Sequence, residues 1–295
     1  MEALMLGKSI VFACLMCVAS VFAEEKLFDG ETVIFLKTKT IGVSAVIVTK
    51  NKKLIVMDGG VPDDYVHLLE VLKPYGNTVT QWYISHAHSD HASALLQIAK
   101  QKPLPIKIEE VLYSFPPIEW IKENKSDADT TEAKRIIDEI PTVPAKHTTI
   151  KKGDKFDVDG VMFEVMNNYS LDERHNSVNN ASIAIKAHVA GKTILFPGDL
   201  GVERGNVLVK ELGDTLKSDI VVMAHHGQHG VGKNFYALVK PTIAVWPTPE
   251  WLWENNMGSK GPGSGPWVIN YVKCWMQELG VKKNYPTYKG DVIFK

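Results

Sequence analysis

Between residues 86 and 91 the chain reads His-Ala-His-Ser-Asp-His, four groups able to hold a metal within one short run. Imidazole nitrogen and carboxylate oxygen are the donors that a catalytic zinc takes. Three histidines and an aspartate at this density rarely arise in an ordinary polar loop. Further candidate donors stand alone along the chain. Asp199 follows Phe196-Pro197-Gly198, His225 and His226 precede Gly227, and His175 lies in the polar stretch RHNSVNN. Asp58 closes an apolar run in Met57-Asp58-Gly59-Gly60. Such a set could hold two divalent ions. The ions would lower the pKa of a bound water from about 15.7 to roughly 7 and polarise the oxygen under attack.

Elements must bring these residues together. Residues 32–36, 43–48 and 54–57 are β-rich, with turn signals at Gly42 and Asn51. Residues 64–72 carry helical spacing and end before Pro74. A strand over 79–84 runs straight into the histidine cluster, and a helix over 92–99 follows it. The middle predicts a strand over 108–113, a short helix over 118–122 and an amphipathic helix over 127–140. The second half returns to strands over 161–165, 182–187 and 193–196, the last ending at Gly198-Asp199. A helix over 202–212 and a strand over 220–223 lead to His225-His226. A helix over 235–239, a strand over 243–246 and a helix over 268–279 complete the pattern. Strands then helices, twice over, fit a mixed α/β (α+β) protein built as a four-layer αββα sandwich.

The run His86–His91 resembles the HxHxDH motif of the metallo-β-lactamase superfamily. Further motifs of that family follow in order over almost all of the chain past residue 23. Met57–Gly60 resembles its early acidic turn, whose aspartate orients a ligand loop. Phe196–Asp199 resembles its Gly-Asp motif, and Ala224–Gly227 its last histidine motif. The resemblance implies a hydrolase in which His86 and His88 bind one metal and Asp90, His91 and His225 the other. Asp199 bridges the two. Asp90 also orients the nucleophile, and His226, Asn180 or Ser182 stabilises charge on the oxyanion or leaving group. The implied cofactor is zinc, two ions per chain.

Within the superfamily, the chain resembles the hydrolase domain of ComEC-type DNA-uptake proteins. Asn179–Ile185, the His-His-Gly motif, and Lys152-Gly153-Asp154 followed by 161–165 carry that likeness. It implies a phosphodiester as substrate. One feature departs from the wider family, which places another histidine, from a loop before the Gly-Asp motif, on the first metal. His188 sits within a strand pattern and His147 comes too early, so His175 is the candidate ligand.

The chain has 295 residues and a net charge of −1, with 45% hydrophobic and 23% charged residues. No basic excess suggests a grip on nucleic acid or on an acidic membrane. Residues 9–23 form a short apolar run behind Lys8, and Val21 and Ala23 suit a cleavage site. This predicts a signal peptide over 1–23, an exported single hydrolase domain over 24–295, and a secreted or periplasmic location. Cys274 alone would remain, without a disulfide and more buried than reactive. Five tryptophans after residue 245 suit either an aromatic lid for a ring, sugar or acyl group, or packing in the C-terminal helical layer. Carboxylic-ester, lactone or β-lactam hydrolysis would use the same metals, and a non-enzymatic metal-binding module is the remaining class. The expected partner is a small-molecule or phosphodiester substrate.

Overall fold

The structure, a computed structural model, describes residues 23–124 and 130–295. Apart from Ala23, the expected signal peptide lies outside the described residues. Strands β1 (Ala23–Glu25), β2 (Thr32–Phe35), β3 (Ser44–Val48), β4 (Leu54–Asp58), β5 (Thr78–Ile84), β6 (Lys107–Tyr113) and β7 (Lys146–Thr149) occupy the first half. β8 (Lys155–Val158), β9 (Val161–Asn167), β10 (Ala184–Val189), β11 (Lys192–Phe196), β12 (Ile220–Val222), β13 (Ile243–Trp246), β14 (Lys283–Pro286) and β15 (Val292–Phe294) follow. The helices are α1 (Tyr65–Leu72), α2 (Ser89–Ala99), α3 (Ile118–Asn124), α4 (Thr130–Glu139), α5 (Ser177–Asn180), α6 (Val202–Leu212), α7 (Lys233–Val239), α8 (Glu250–Trp253) and α9 (Ile269–Glu278).

One sheet has the order β1-β15-β2-β3-β4-β5-β6-β7, the other β14-β13-β12-β11-β10-β9-β8. Their facing sides share one core, with Phe35, Ala45, Ile47, Met57 and Tyr83 against Phe163, Ile183, Ile185, Phe196 and Val245. Strand β3 explains why the run SAVIV is apolar throughout. Ala45 and Ile47 point between the sheets, while Val46 and Val48 point out under α1, α2 and α4. A strand covered on both faces loses the polar alternation of a half-exposed one. The outer face of the second sheet carries α6, α7 and α9 through Leu208, Phe235, Val239, Ile269, Val272 and Met276. The layers are therefore helix, sheet, sheet, helix, as the sequence pattern predicts.

Five strands escape the pattern: β1, β7, β8, β14 and β15. β14 reads KNYP and β15 only VIF. β15 returns to the first sheet and pairs antiparallel with β2, Val292 opposite Phe35. The amphipathic helix of the middle is α4, from Thr130. Residues 127–129 of its expected span lie outside the described residues. Helix α2 begins at Ser89 rather than residue 92, so Asp90 and His91 lie within its first turn. Cys274 is half-buried rather than enclosed. Among the described residues no helix is long and apolar enough to cross a membrane.

Candidate metal centre

Four strands deliver the centre from their carboxyl ends. β4 and β5 run parallel, as do β11 and β12. Asp58 ends β4, Ser85-His86 follows β5, Asp199 follows β11 and His225-His226 follows β12. Carboxyl ends of parallel strands are where open α/β sheets collect ligands. The loop before β3 closes over the same place, because the Val43 amide donates to the Asp90 carbonyl at 3.1 Å.

Asp90, His91, Asp199 and His226 converge, one donor atom from each lying within 4.8 Å of the others. The approaches are His226 Nε2 to Asp90 Oδ2 at 3.0 Å and to Asp199 Oδ2 at 3.3 Å, and His91 Nε2 to Asp199 Oδ1 at 3.3 Å and to Asp90 Oδ2 at 3.6 Å. Bonds of 2.0–2.2 Å in a tetrahedron put donors about 3.4 Å apart, so this spacing suits one ion. His91 Nε2, His226 Nε2 and Asp199 Oδ1 are buried and make no well-aligned hydrogen bond. Unspent lone pairs aimed at one point are what a cation would satisfy.

Neighbours hold these imidazoles in the right tautomer. Asp58 Oδ2 lies 2.9 Å from His91 Nδ1. A carboxylate only accepts, so Nδ1 donates and Nε2 is left bare toward the centre. Asp58 Oδ1 meanwhile takes the Ser85 amide at 2.7 Å, and the Asp58 carbonyl takes Trp82 Nε1 at 2.6 Å. His226 Nδ1 donates to the Pro247 carbonyl at 3.0 Å. Ser85 Oγ lies 3.0 Å from His86 Nδ1. With Nδ1 donating its proton to Ser85 Oγ, His86 Nε2 is also bare, and it faces His88 Nδ1 at 3.0 Å. His86 Nε2 stands 4.0 Å from Asp199 Oδ2. A second donor group of His86, His88 and Asp199 thus adjoins the first.

The sequence reading put His225 on the second ion and His226 at the rim or as an acid. The four-residue cluster contains His226, which is 1% exposed, and not His225. The His225 side chain is 19% exposed, with Nε2 3.8 Å from Asp199 Oδ2. The cause is local backbone. His225 (φ 49°, ψ 47°) and His226 (φ 57°, ψ 18°) are consecutive left-handed residues, which no residue pattern announces. Such conformations cost roughly 1–3 kcal/mol each and persist where the surroundings impose them.

Asn180 was expected to serve an oxyanion or leaving group, but its amide is already engaged. Its Oδ1 accepts the Gly201 amide at 2.8 Å, and its Nδ2 donates to the His175 carbonyl at 2.8 Å. It ties the loop after Asp199 to α5. His175 is exposed and outside the cluster. His147 binds the Val143 carbonyl through Nε2 at 2.8 Å, and His188 lies 3.9 Å from Glu164 on β9. Ser182 Oγ accepts the Asp199 amide at 3.0 Å. Sequence reasoning missed Glu132. From α4 its Oε1 accepts the Ser89 amide at 2.8 Å, capping a helix whose N-cap His88 makes no capping bond.

Charge follows from this crowding. Burial alone would raise Asp90 and Asp199, but His91 and His226 outweigh it and hold both carboxyls well below their usual range. Burial likewise works to lower His91 and His226, yet the carboxylates prevail, raising His91 and pushing His226 up to about 9. Burial and the adjacent His91 and His88 lower His86. Burial also lowers His225. Without an ion, protons on His91 and His226 stand in for its positive charge.

The tryptophan-rich stretch divides. Trp246 and Trp253 are buried and meet edge to face at 5.4 Å, which is packing. Trp251 is 38% exposed and lies 4.8 Å from the ring of Trp267.

Residues 39–254 match the family model described as metallo-beta-lactamase superfamily. No curated protein matches the chain in sequence. Among solved structures, the metallo-beta-lactamase fold protein YhfI from Bacillus subtilis superposes with a TM-score of 0.57 at 8% identity, covering 90% of this chain and 100% of that one. Zn(2+)-bound PqqB from Methylobacterium extorquens gives 0.52 at 11% identity, over 90% of this chain and 99% of that one. A variant of the β-hydroxylase CmlA gives 0.51 at 9% identity, over 91% of this chain and 54% of that one. At such identities the likeness is one of fold.

Proposed function

The chain belongs to the metallo-β-lactamase superfamily, and from that premise we propose that it is an exported zinc-dependent hydrolase acting on a phosphodiester or a related ester. The observation that carries the reading is the convergence of Asp90, His91, Asp199 and His226, one donor atom from each within 4.8 Å of the others, with His86 and His88 alongside. When bound there, the ions supply an acidified water and polarise the oxygen under attack. Asp199, which approaches both donor groups, would help to hold both ions. Asp58 and Pro247 fix the imidazoles so that only Nε2 points inward. The leader over residues 1–23 supports export. The ComEC-like motifs support the phosphodiester, and the near-zero net charge favours a small substrate over long nucleic acid. An ester or lactone is the second reading, favoured by the exposed Trp251 and its neighbour Trp267, which suit an acyl or ring group.

The test combines metal content with hydrolysis of bis-p-nitrophenyl phosphate, with an Asp199→Ala control. Bound zinc with turnover, both lost in the control, supports the reading. Zinc without turnover moves the search to esters and lactones. A wild-type chain that holds no metal overturns it.

A further inference from the structure

We infer that His225 is a ligand of the first metal, beside His86, His88 and Asp199, while its neighbour His226 serves the second. This rests on the two-metal reading above and answers the question that reading leaves open. The first metal lacks a loop histidine, and the candidate His175 is exposed on the loop whose carbonyl Asn180 holds.

Three observations support the assignment. His225 Nε2 and His86 Nε2 approach the same atom, Asp199 Oδ2, at 3.8 and 4.0 Å. His226 reaches that oxygen too, at 3.3 Å, but it also meets Asp90 at 3.0 Å, and His91 closes that second group through Asp199 Oδ1. The His225 and His86 approaches to Oδ2 are slightly longer than the tetrahedral spacing of about 3.4 Å, as expected of donors that an ion would draw in. Next, the backbone is strained at both positions. Neighbours in a strand point to opposite faces, and neighbours in a helix diverge by about 100°. Two successive left-handed residues instead turn both rings onto one carboxylate. Gly227 (φ 82°) completes that turn where a Cβ would lie 2.5 Å from the Trp246 ring. Finally, strain of this kind is maintained by what the side chains hold. The left-handed backbone at residue 225 turns its ring toward the carboxylate that its neighbour His226 also meets.

The experiment measures zinc per chain and the visible spectrum of the cobalt(II)-loaded protein for wild type, His225→Asn, His226→Asn and His175→Ala. Asparagine tolerates left-handed backbone, so it removes the imidazole while leaving the turn. His225→Gly serves as a second variant if His225→Asn melts early. Wild type should bind two ions. His225→Asn should retain one, with affinity for the other falling beyond the roughly 100-fold that loss of an outer partner costs. His226→Asn should lose the other ion and leave a different cobalt spectrum, and His175→Ala should match wild type. Two ions of unchanged affinity in His225→Asn would overturn the inference while leaving the metallo-hydrolase reading intact. Loss of an ion in His175→Ala would do the same. A wild-type chain without metal would overturn both.

Discussion

Asp58 Oδ2 sits 2.9 Å from His91 Nδ1 while its other oxygen takes the Ser85 amide, so one carboxylate orients the His91 imidazole and the strand end that carries His86. Asp58 itself adopts a left-handed conformation (φ 56°) at the end of β4. Asp58→Asn keeps that backbone within reach, because asparagine tolerates it. The amide cannot accept from both Ser85 N–H and His91 Nδ1–H through separate oxygens as the carboxylate does. His91 Nε2 should then be poorly presented, and zinc affinity should fall roughly 10–100-fold. Competition with a chromophoric chelator measures it. Unchanged affinity would mean that Asp58 holds the fold but not the tautomer.

The acid-base state of the centre gives a second expectation. In the metal-free chain His226 titrates at about 9 and His91 is also raised. An ion must displace these protons, so apparent zinc affinity should rise with pH toward 9 and protons should be released on binding. Stability of the metal-free chain runs differently. The raised histidines stabilise it fully below their unfolded pKa of about 6.5, and this is lost as pH rises through their folded values, about 9 for His226. The depressed Asp90 and Asp199 stabilise it above about 3.8, and this is lost as pH falls through their folded values. The lowered His86 and His225 act the other way, their contribution being lost as pH falls below about 6.5, so the metal-free protein should melt highest near neutral pH, about 6 to 7. Binding isotherms in buffers of different ionisation enthalpy, taken between about pH 6 and 8, test the first part. A flat affinity would refute it.

How much of this was legible in the sequence depends on how local the cause is. His86, His88, Asp90 and His91 stand out because a single strand-to-helix junction brings them together. Asp199 and Asp58 were legible because each ends an apolar strand. The presence of His226 rather than His225 in the four-residue cluster was not, since it turns on two backbone angles that any sequence containing His-His-Gly leaves open. Nor was the engagement of Asn180, whose partners Gly201 and His175 meet only after α5 folds. The layers followed from apolar runs, whereas β14 and β15 are too short, and one contains Pro286, to read as strands.

Glu132 belongs with these distant causes, 43 residues from Ser89. Helices α2 and α4 run side by side in the same direction, for Lys100 at the end of α2 meets Glu139 at the end of α4 at 3.0 Å. Parallel neighbours place two positive helix ends together, and the Glu132 carboxylate offsets both. Glu132→Ala should cost about 1 kcal/mol of stability through the lost cap. It should also loosen the first turn that carries Asp90 and His91, weakening zinc binding, with Glu132→Gln partly restoring both. Thermal melts and zinc titrations on the same samples decide the matter. Equal affinity in all three proteins would reduce Glu132 to a stability residue.

The last expectation concerns the turn that presents Asp199. Gly198 is left-handed (φ 60°), and a Cβ there would lie 2.8 Å from both Cβ and Oγ of Ser182. Ser182 is fully buried, and its Oγ holds the Asp199 amide. It cannot move aside without releasing the residue that joins the two donor groups. Gly198→Ala should thus combine a left-handed penalty of about 1–2 kcal/mol with a contact that only movement of Asp199 relieves. Both ions should weaken together, unlike the single-site loss expected of His225→Asn. Metal content and melting temperature measured with and without added zinc separate the effects. A variant that melts lower but binds two ions as wild type does would show that the turn tolerates a methyl group and that Asp199 is positioned by other means.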